Sequence, residues 1–310
     1  MKNKSLVLQI LIPTYNRAKR LEKNVSLISE QILKYGLNDK VGIIVSDNCS
    51  PDDTWSKLLN LRDLYSEINL QIYRQNKNIK LEPNAVFTLK KASAPYIMYT
   101  GDDDYIDKSY LARLIEVIEK DSNFSCAISG HIGVAPGEIN RNVRVMPFDE
   151  KVFKPSYKNT SYLSHFFSQM SALVFKREDL YETYIANDKL RNIYPWIYFG
   201  VFNALRGNTY FLANQKTQIT DFEVKDWSYD ELGLIEDIMK NFSILKFNNF
   251  LYKPYLQIGF CYYAMNRFEA AKSKGFIFFF KQLIRVEHMS LFTKLFVFSF
   301  SYYKSLRSKF

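Results

Sequence analysis

Cysteine is scarce in this chain. Cys49, Cys126 and Cys261 are the only three in 310 residues, an odd number with no paired spacing. That argues against a disulfide framework and a cysteine-rich zinc site, and suits a reducing cytosol. No run of about 18 uncharged apolar residues occurs, so no segment reads as a membrane-spanning helix. The first residues imitate a signal peptide only superficially. Their apolar core is short, is interrupted by Gln9 and runs into Pro13-Thr14-Tyr15-Asn16-Arg17 without a small-residue cleavage site, so a first strand is expected there. Glycine-rich phosphate loops are also absent. With no Walker motif and no G-x-G-x-x-G after the first strand, a P-loop nucleotide hydrolase or a dinucleotide dehydrogenase is disfavoured. There are no internal repeats and no long disordered linker. What remains is globular: 47% hydrophobic and 24% charged residues, enough to bury a sizeable core in one large domain plus an appendage or second small domain.

Strand-like and helix-like segments alternate from Leu6 to about Val134. Leu6–Ile12, Val41–Ser46, Leu70–Tyr73, Tyr96–Thr100 and Cys126–Ser129 read as strands, while Leu21, Val25, Ile28 and Ile32 recur at helical spacing, as do Leu111, Leu114, Ile115 and Ile118. Trp55, Leu58 and Leu59 mark a second helix and Ala85 to Ala92 a third. Such alternation predicts crossover units on a mainly parallel sheet flanked by helices, an α/β fold. Polar residues stand at four strand exits: Pro13 to Arg17, Asp47-Asn48, Arg74-Gln75-Asn76 and Asp102-Asp103-Asp104. Open α/β sheets bind ligands outside the carboxyl ends of their strands, so the four exits are expected to share one crevice.

The fourth exit carries the most chemistry. Gly101-Asp102-Asp103-Asp104-Tyr105 follows the apolar run Tyr96 to Thr100, and adjacent carboxylates at the end of a buried strand repel unless solvent, a helix N-terminus or a divalent cation offsets the charge. Mg²⁺ or Mn²⁺ would do so, since hard cations prefer carboxylate and phosphate oxygens. A solvated turn, with Asp107 capping the helix that begins near Ser109, accounts for the same residues. A metal there would grip a pyrophosphate and act as a Lewis acid on a departing diphosphate.

Three segments in order, Leu8 to Arg17, Val45 to Thr54 and Gly101 to Asp104, resemble family-2 glycosyltransferases of the GT-A fold, a Rossmann-like sheet. Within that family the chain looks most like bacterial O-antigen and capsule enzymes such as abequosyltransferases. The resemblance implies that Pro13, Tyr15 and Arg17 line the nucleotide pocket, that Asp47 contacts the base, that Asp103 lies near the ribose or sugar, and that Asp104 binds the metal. Where many relatives carry an acid this chain has Gly101, which makes Asp102-x-Asp104 the nearest substitute. From the segment between Asn76 and Asn84, Asn84 is carried over as a donor-binding residue and Lys80 as a phosphate contact.

The second half is less legible. Ser168 to Arg177 looks like the family's strand closing the acceptor side, but the Glu-Asp pair that many inverting members place after it is missing between Arg177 and Gly207. Asp188 is the first candidate for the catalytic base and His165 the second; inverting and retaining stereochemistry both stay open. The aromatic run Tyr194 to Phe199 could stack on an acceptor sugar, but such clusters more often fill a core. A helix is expected through Ile235, Ile238, Met239, Phe242 and Leu245.

Charge is uneven. From Lys272 to Phe310, Lys272, Lys274, Lys281, Arg285, Lys294, Lys304, Arg307 and Lys309 face Glu287 alone, so this segment carries +7 of the chain's +10. Its aromatics, with Met289, Phe292, Leu295, Phe296 and Tyr303 near helical spacing, predict an amphipathic helix in the interface of an anionic membrane. A packed helical pair with a solvated basic face fits as well. Nucleic-acid binding would explain the tail but not the strand exits, and the phenylalanine bias without glycine–arginine repeats favours lipid. The expected organisation is a catalytic domain over residues 1–215, with the nucleotide-sugar half to about 135 and the acceptor half over 136–215. A helical region over 216–310 follows, its membrane-associating tail starting from about 272. The expected function is transfer of a sugar from a nucleotide-diphosphate donor, with Mn²⁺ or Mg²⁺, to a lipid-linked oligosaccharide in bacterial O-antigen or capsule synthesis. The protein would be cytoplasmic and peripheral at the inner face of the plasma membrane, with no nucleic-acid partner. The alternatives are a metal-dependent nucleotidyltransferase and a non-catalytic basic module.

Overall fold

The computed structural model describes residues 6–135, 138–144, 149–220, 231–265 and 275–307. Its first half runs β1 (Leu8–Thr14), α1 (Ala18–Lys34), β2 (Val41–Asp47), α2 (Thr54–Leu64), β3 (Asn69–Arg74), α3 (Leu81–Lys91), β4 (Tyr96–Tyr99), α4 (Tyr110–Lys120) and β5 (Phe124–Ala135). After it come β6 (Glu138–Arg144), β7 (Glu150–Phe153), α5 (Tyr157–Leu163), β8 (Leu173–Lys176), α6 (Leu180–Ile185), α7 (Pro195–Ala204) and β9 (Asn208–Thr220). The chain ends in α8 (Glu231–Ile244), α9 (Tyr252–Tyr263), α10 (Phe276–Arg285) and α11 (Leu291–Arg307).

The chain forms two compact units, one of residues 1–154, 169–182 and 206–224, the other of 155–168, 183–205 and 225–310. Gln215, at the expected boundary, lies inside β9. The first unit is built on the sheet, ordered β3-β2-β1-β4-β8-β5-β9-β7, with β6 paired to β5. β3, β2, β1 and β4 are mutually parallel; β8 is antiparallel to both β4 and β5. The sequence explains the parallel half directly, because every residue of β1 and of β2 is buried, as in strands covered on both faces. Gln9, the polar interruption in β1, is accommodated because its Oε1 accepts the backbone N–H groups of Ser93 and Ala94 at 2.7 and 2.8 Å. The helices cover this sheet with the faces their periodicity predicts: Leu21, Val25, Ile28 and Ile32 of α1, and Leu111, Leu114, Ile115 and Ile118 of α4, belong to the core.

The second unit is helical. Pro195 opens α7, where proline's missing N–H costs nothing, and Trp196, Ile197, Tyr198 and Phe199 are all buried, so the aromatic run is core. Tyr157 of α5 stacks on Tyr252 of α9 at 3.6 Å. The turn between α10 and α11 is pinned to α9 by one amide: Gln257 donates to His288 O at 2.7 Å and accepts from Ser290 N at 2.9 Å and Thr293 Oγ1 at 3.1 Å. This tether shortens the helix read from the tail by its first member, while Phe292, Leu295 and Tyr303 stay exposed as expected. Met289 lies buried in the turn before α11, and α11 packs through Thr293, Val297 and Ser301. Among the described residues no helix is long and apolar enough to cross a membrane.

β5 and β9 form the longest pairing, with a register shift at Ser129/Gly130. There the strands approach so closely that a Cβ on Gly130 would sit 2.4 Å from Ala213 O. Gly130→Ala is therefore expected to cost on the order of 1–3 kcal/mol, read as a lower denaturation midpoint in urea.

Candidate active site

The parallel strands end in register. β1 and β2 place Thr14 beside Asp47, and β2 and β3 place Asp47 beside Arg74. On the other flank β4 pairs with β1 as far as Leu11 and Tyr99, and the chain leaving β4 brings Asp102 back to the same row. There Asp102 Oδ2 accepts a 2.6 Å hydrogen bond from Thr14 Oγ1. Arg74, Asp47, Thr14 and Asp102 thus stand side by side at the carboxyl edge of the sheet, where such sheets present their ligand-binding groups.

Asp47 has no exposed surface. Its Oδ1 accepts the Ser50 N–H at 2.9 Å, while Oδ2 faces Arg74 Nε at 3.3 Å and has no aligned hydrogen-bond donor. A buried carboxylate oxygen with an ionic neighbour but no aligned donor retains capacity for a ligand N–H or O–H. The first two exits also hold each other. Both turn through left-handed backbone, at Asn16 (φ 56°) and Cys49 (φ 63°), and Asn16 N–H donates to Ser50 Oγ at 2.8 Å. Asp52 receives Ala18 N–H at 3.2 Å, placing a carboxylate at the N-terminus of α1. Burial opposes the charge on Asp52, but hydrogen bonds from Thr54 and Ala18 outweigh it and hold the carboxyl below its ordinary value.

The acidic turn is clamped from three elements. From α1, Asn24 Nδ2 donates to Gly101 O at 2.6 Å. Ahead of β8, Ser171 Oγ accepts Gly101 N–H at 2.9 Å and donates to Asp104 Oδ2. From the end of β9, Thr220 N–H reaches Asp104 Oδ1 at 3.0 Å and Thr220 Oγ1 reaches Asp103 O at 2.5 Å. Both oxygens of the buried Asp104 therefore already accept protein hydrogen bonds. Asp103 faces Arg20 Nη1 at 3.6 Å. Burial is the largest influence on Asp102; with repulsion from Asp103 and Asp104 it pushes the carboxyl up to about 7 against the opposing pull of Thr14 and Arg17. Among the described residues no group of three or more His, Cys, Asp and Glu side chains is arranged to hold a metal ion by itself.

Of the other residues expected at the site, Pro13 is buried in β1, Tyr15 is 43% exposed just after it, and Arg17 is the N-cap residue of α1. Asn84 is buried, and its amide ties α3 to β2, accepting from Ser46 Oγ at 2.7 Å and donating to Ser46 O at 2.9 Å. Lys80 takes left-handed backbone (φ 72°) before α3 and receives Asn48 Nδ2 on its carbonyl at 3.2 Å. Asp188 belongs to the second unit, on a short 3₁₀ turn, with its side chain 84% exposed and paired to Arg191 at 3.3 Å. His165 is in the same unit, its ring 5.1 Å from Tyr263. The sequence reading missed Thr14, Asn24, Ser171 and Thr220. Asn24 alone left a signal, as a polar side chain beside the apolar stripe of α1.

Residues 9–183 match the profile of Glycosyl transferase family 2, more than half of the chain. The chain belongs to this family. Among curated relatives of this family-2 chain, a GalNAc(5)-diNAcBac-PP-undecaprenol beta-1,3-glucosyltransferase of Campylobacter jejuni is 26% identical over 216 residues, 64% of this chain and 63% of the relative. The abequosyltransferase RfbV of Salmonella typhimurium is 28% identical over 56% of this chain and 54% of its own. The match thus spans less than two thirds of either relative's length. Staphylococcus aureus TarS residues 1–349, solved with UDP-GlcNAc, superposes with a TM-score of 0.64 at 16% identity, covering 90% of this chain and 80% of that one. A Pyrobaculum calidifontis mannosyltransferase solved with GDP-Man and Mn²⁺ gives 0.55 at 13% identity, over 87% and 76%. The fold is GT-A.

Two outcomes follow from the clamp. Ser171→Ala removes the hydroxyl that accepts Gly101 N–H and donates to Asp104 Oδ2, while the Thr220 N–H bond to Asp104 Oδ1 remains, at an expected cost of about 1–3 kcal/mol in urea denaturation. Asp102 binds its proton more tightly folded than unfolded, so its contribution to stability is fully present below its ordinary value of 3.8 and is lost as pH rises toward about 7. Thermal denaturation of the metal-free protein against pH is expected to show this fall, and Asp102→Asn to flatten it.

Proposed function

We propose that the protein is a glycosyltransferase that moves a sugar from a nucleotide-diphosphate donor to a lipid-linked oligosaccharide, using a divalent cation, in bacterial O-antigen or capsule synthesis. The observation that carries this reading is the row Arg74, Asp47, Thr14 and Asp102, with the clamped acidic turn beside it. Asp47, with its open acceptor, and Arg74 are suited to a nucleobase; Pro13, Tyr15 and Arg17 would line the nucleotide, and Asp103 the ribose or sugar. Family membership and the GT-A fold support the donor class, and the undecaprenol-linked glycan in the Campylobacter relative's name supports the acceptor class.

The residues fit a metal of a particular kind. Mg²⁺ and Mn²⁺ commonly take one or two carboxylates from the protein and complete their shell with phosphates and water, so a site lacking a three-ligand cage is the type expected. Asp102, its charge disfavoured by burial and by two acidic neighbours, gains most from a cation. Asp102 and Asp104 would hold it, and the cation would stabilise charge developing on the leaving diphosphate. The chain's own share is positional: Ser171, Thr220 and Asn24 fix the turn before any ligand arrives, so no reorganisation is required of it at the moment of reaction. Asp188 is retained as the candidate that accepts the acceptor's hydroxyl proton. The enzyme would work peripherally at the inner face of the plasma membrane.

Calorimetric titration with nucleoside diphosphates and nucleotide sugars, with Mn²⁺ and then with EDTA, tests the donor site. Selective binding abolished by chelator is expected; no binding by folded protein would remove the proposal's basis. Asp104→Asn keeps acceptor and donor capacity toward Thr220 and Ser171, so it is expected to fold while losing on the order of 100-fold or more in turnover. Unchanged turnover at saturating donor would refute the metal role.

A further inference from the structure

The last helix packs in the opposite sense to an ordinary amphipathic one, and the helix before it carries apolar residues on its outer side as well. α11 buries Thr293, Val297 and Ser301, a stripe of small and hydroxyl side chains, and turns Leu291 (70% exposed), Phe292, Leu295, Tyr302 and Tyr303 outward. α10 buries Phe279 and Leu283 and exposes Ile277 (77%), Phe278, Phe280 and Ile284. The helices run antiparallel: the rings of Phe280 and Phe298 lie 4.8 Å apart, and Lys294 Nζ donates to Ile284 O at 2.6 Å. That contact brings the stripe Ile277, Phe280, Ile284 alongside the stripe Leu291, Leu295, Phe298, Tyr302. The result is a run of exposed apolar side chains across both helices, and contiguous apolar surface of this kind marks an interaction site.

Charge decides which partner. Neither helix contains an acidic residue, while Lys281, Arg285, Lys304 and Arg307 are exposed around the face. Lys304 Nζ lies 5.3 Å from the ring of Phe300 and the Arg307 guanidinium 5.1 Å from that of Tyr303, so these stems follow the aromatic surface and end at its rim. A second copy of the chain meeting this face would set the cations of both helices against one another, with Glu287 of the connecting turn as the one carboxylate nearby in sequence. An anionic bilayer offers acyl chains to the apolar stripe and phosphates to its rim.

We propose that the α10–α11 hairpin is a membrane-docking surface that lies flat in the interface of an anionic bilayer. Ile277, Ile284, Leu291 and Leu295 enter the acyl boundary, and Lys281, Arg285, Lys304 and Arg307 meet the headgroup phosphates. This deepens the lipid-linked reading above and rests on it for its purpose, though its residues are separate from the donor site. It refines the face read from the tail: Phe292, Leu295 and Tyr303 stay outward, while Met289 is only 3% exposed and drops out.

The test is co-sedimentation of the full chain with phosphatidylglycerol-containing vesicles and with pure phosphatidylcholine, for wild type, the double variant Ile277→Glu/Leu291→Glu, and Lys281→Glu/Arg285→Glu. All four positions are exposed, and circular dichroism checks that the variants fold. Wild type is expected to sediment only with the anionic vesicles, with partitioning reduced about tenfold or more in each double variant. Wild type remaining in the supernatant, or a double variant sedimenting as wild type does, overturns the proposal. So does a lipid-free dimer, seen by light scattering, that Ile277→Glu/Leu291→Glu dissociates while vesicle binding is absent. Mn²⁺-dependent nucleotide-sugar binding, measured on the same preparations, reports the donor site separately. Vesicle binding without it would sustain this surface and count against the catalytic reading.

Discussion

Three consecutive carboxylates in one tight turn are the constraint on which the sheet edge is organised. Left to themselves Asp102, Asp103 and Asp104 would spread apart and seek water. Each is given a different restraint instead: Thr14 for Asp102, Arg20 for Asp103, and the Ser171 hydroxyl with the Thr220 amide for Asp104. Those partners come from β1, α1, the segment before β8 and the end of β9, so positioning the turn requires the sheet to be complete on both sides of β4. The antiparallel insertion of β8 between β4 and β5 puts the start of β8 at the carboxyl end of β4 and so brings Ser171 to Gly101.

The division of labour within the turn follows from burial. Asp104 is the most constrained of the three, and its hydrogen bonds to Ser171 and Thr220 give it a structural part whatever it binds. Asp102 remains electrostatically unsettled, since the Thr14 hydroxyl and Arg17 only partly offset burial and two like-charged neighbours. A cation bound as proposed would relieve the repulsion at Asp102 while Asp104 stays fixed by Ser171 and Thr220. The metal-free geometry and the proposed chemistry are therefore compatible without a three-ligand cage.

Much of the parallel half was legible because its cause is local. Contiguous apolar runs bounded by polar exits specify buried parallel strands, and the stripes of α1 and α4 announce which face they cover. The acidic turn was legible because charges in that context are costly. Its clamp was not: Ser171 and Thr220 lie 67 and 116 residues beyond Asp104, and nothing local to a serine or threonine shows that its hydroxyl or amide will meet a distant carboxylate. Asn84, carried over by resemblance as a donor-binding residue, shows the converse limit, for it is buried and its amide joins α3 to β2. The aromatic run at Tyr194 fell on the side that composition favours, packing into α7.

The tail shows how an element can be anticipated, with Phe292, Leu295 and Tyr303 outward as expected, and one member of its stripe, Met289, still misplaced. Periodicity gives the angle between residues on a helix, and it leaves the choice of buried stripe to whatever the helix meets. In α11 that choice is made by Gln257, which binds His288, Ser290 and Thr293 and so turns the Thr293–Val297–Ser301 stripe inward. Had hydrophobicity alone set the rotation, Leu291, Leu295 and the aromatic residues would be covered and the hydroxyls exposed. A buried amide with three well-formed hydrogen bonds can hold the less apolar face against the protein because leaving those groups unpaired in the interior would cost more than the area gained. The large apolar side chains are then available outside, next to a rim of lysine and arginine, which is where a surface that must recognise lipid needs them.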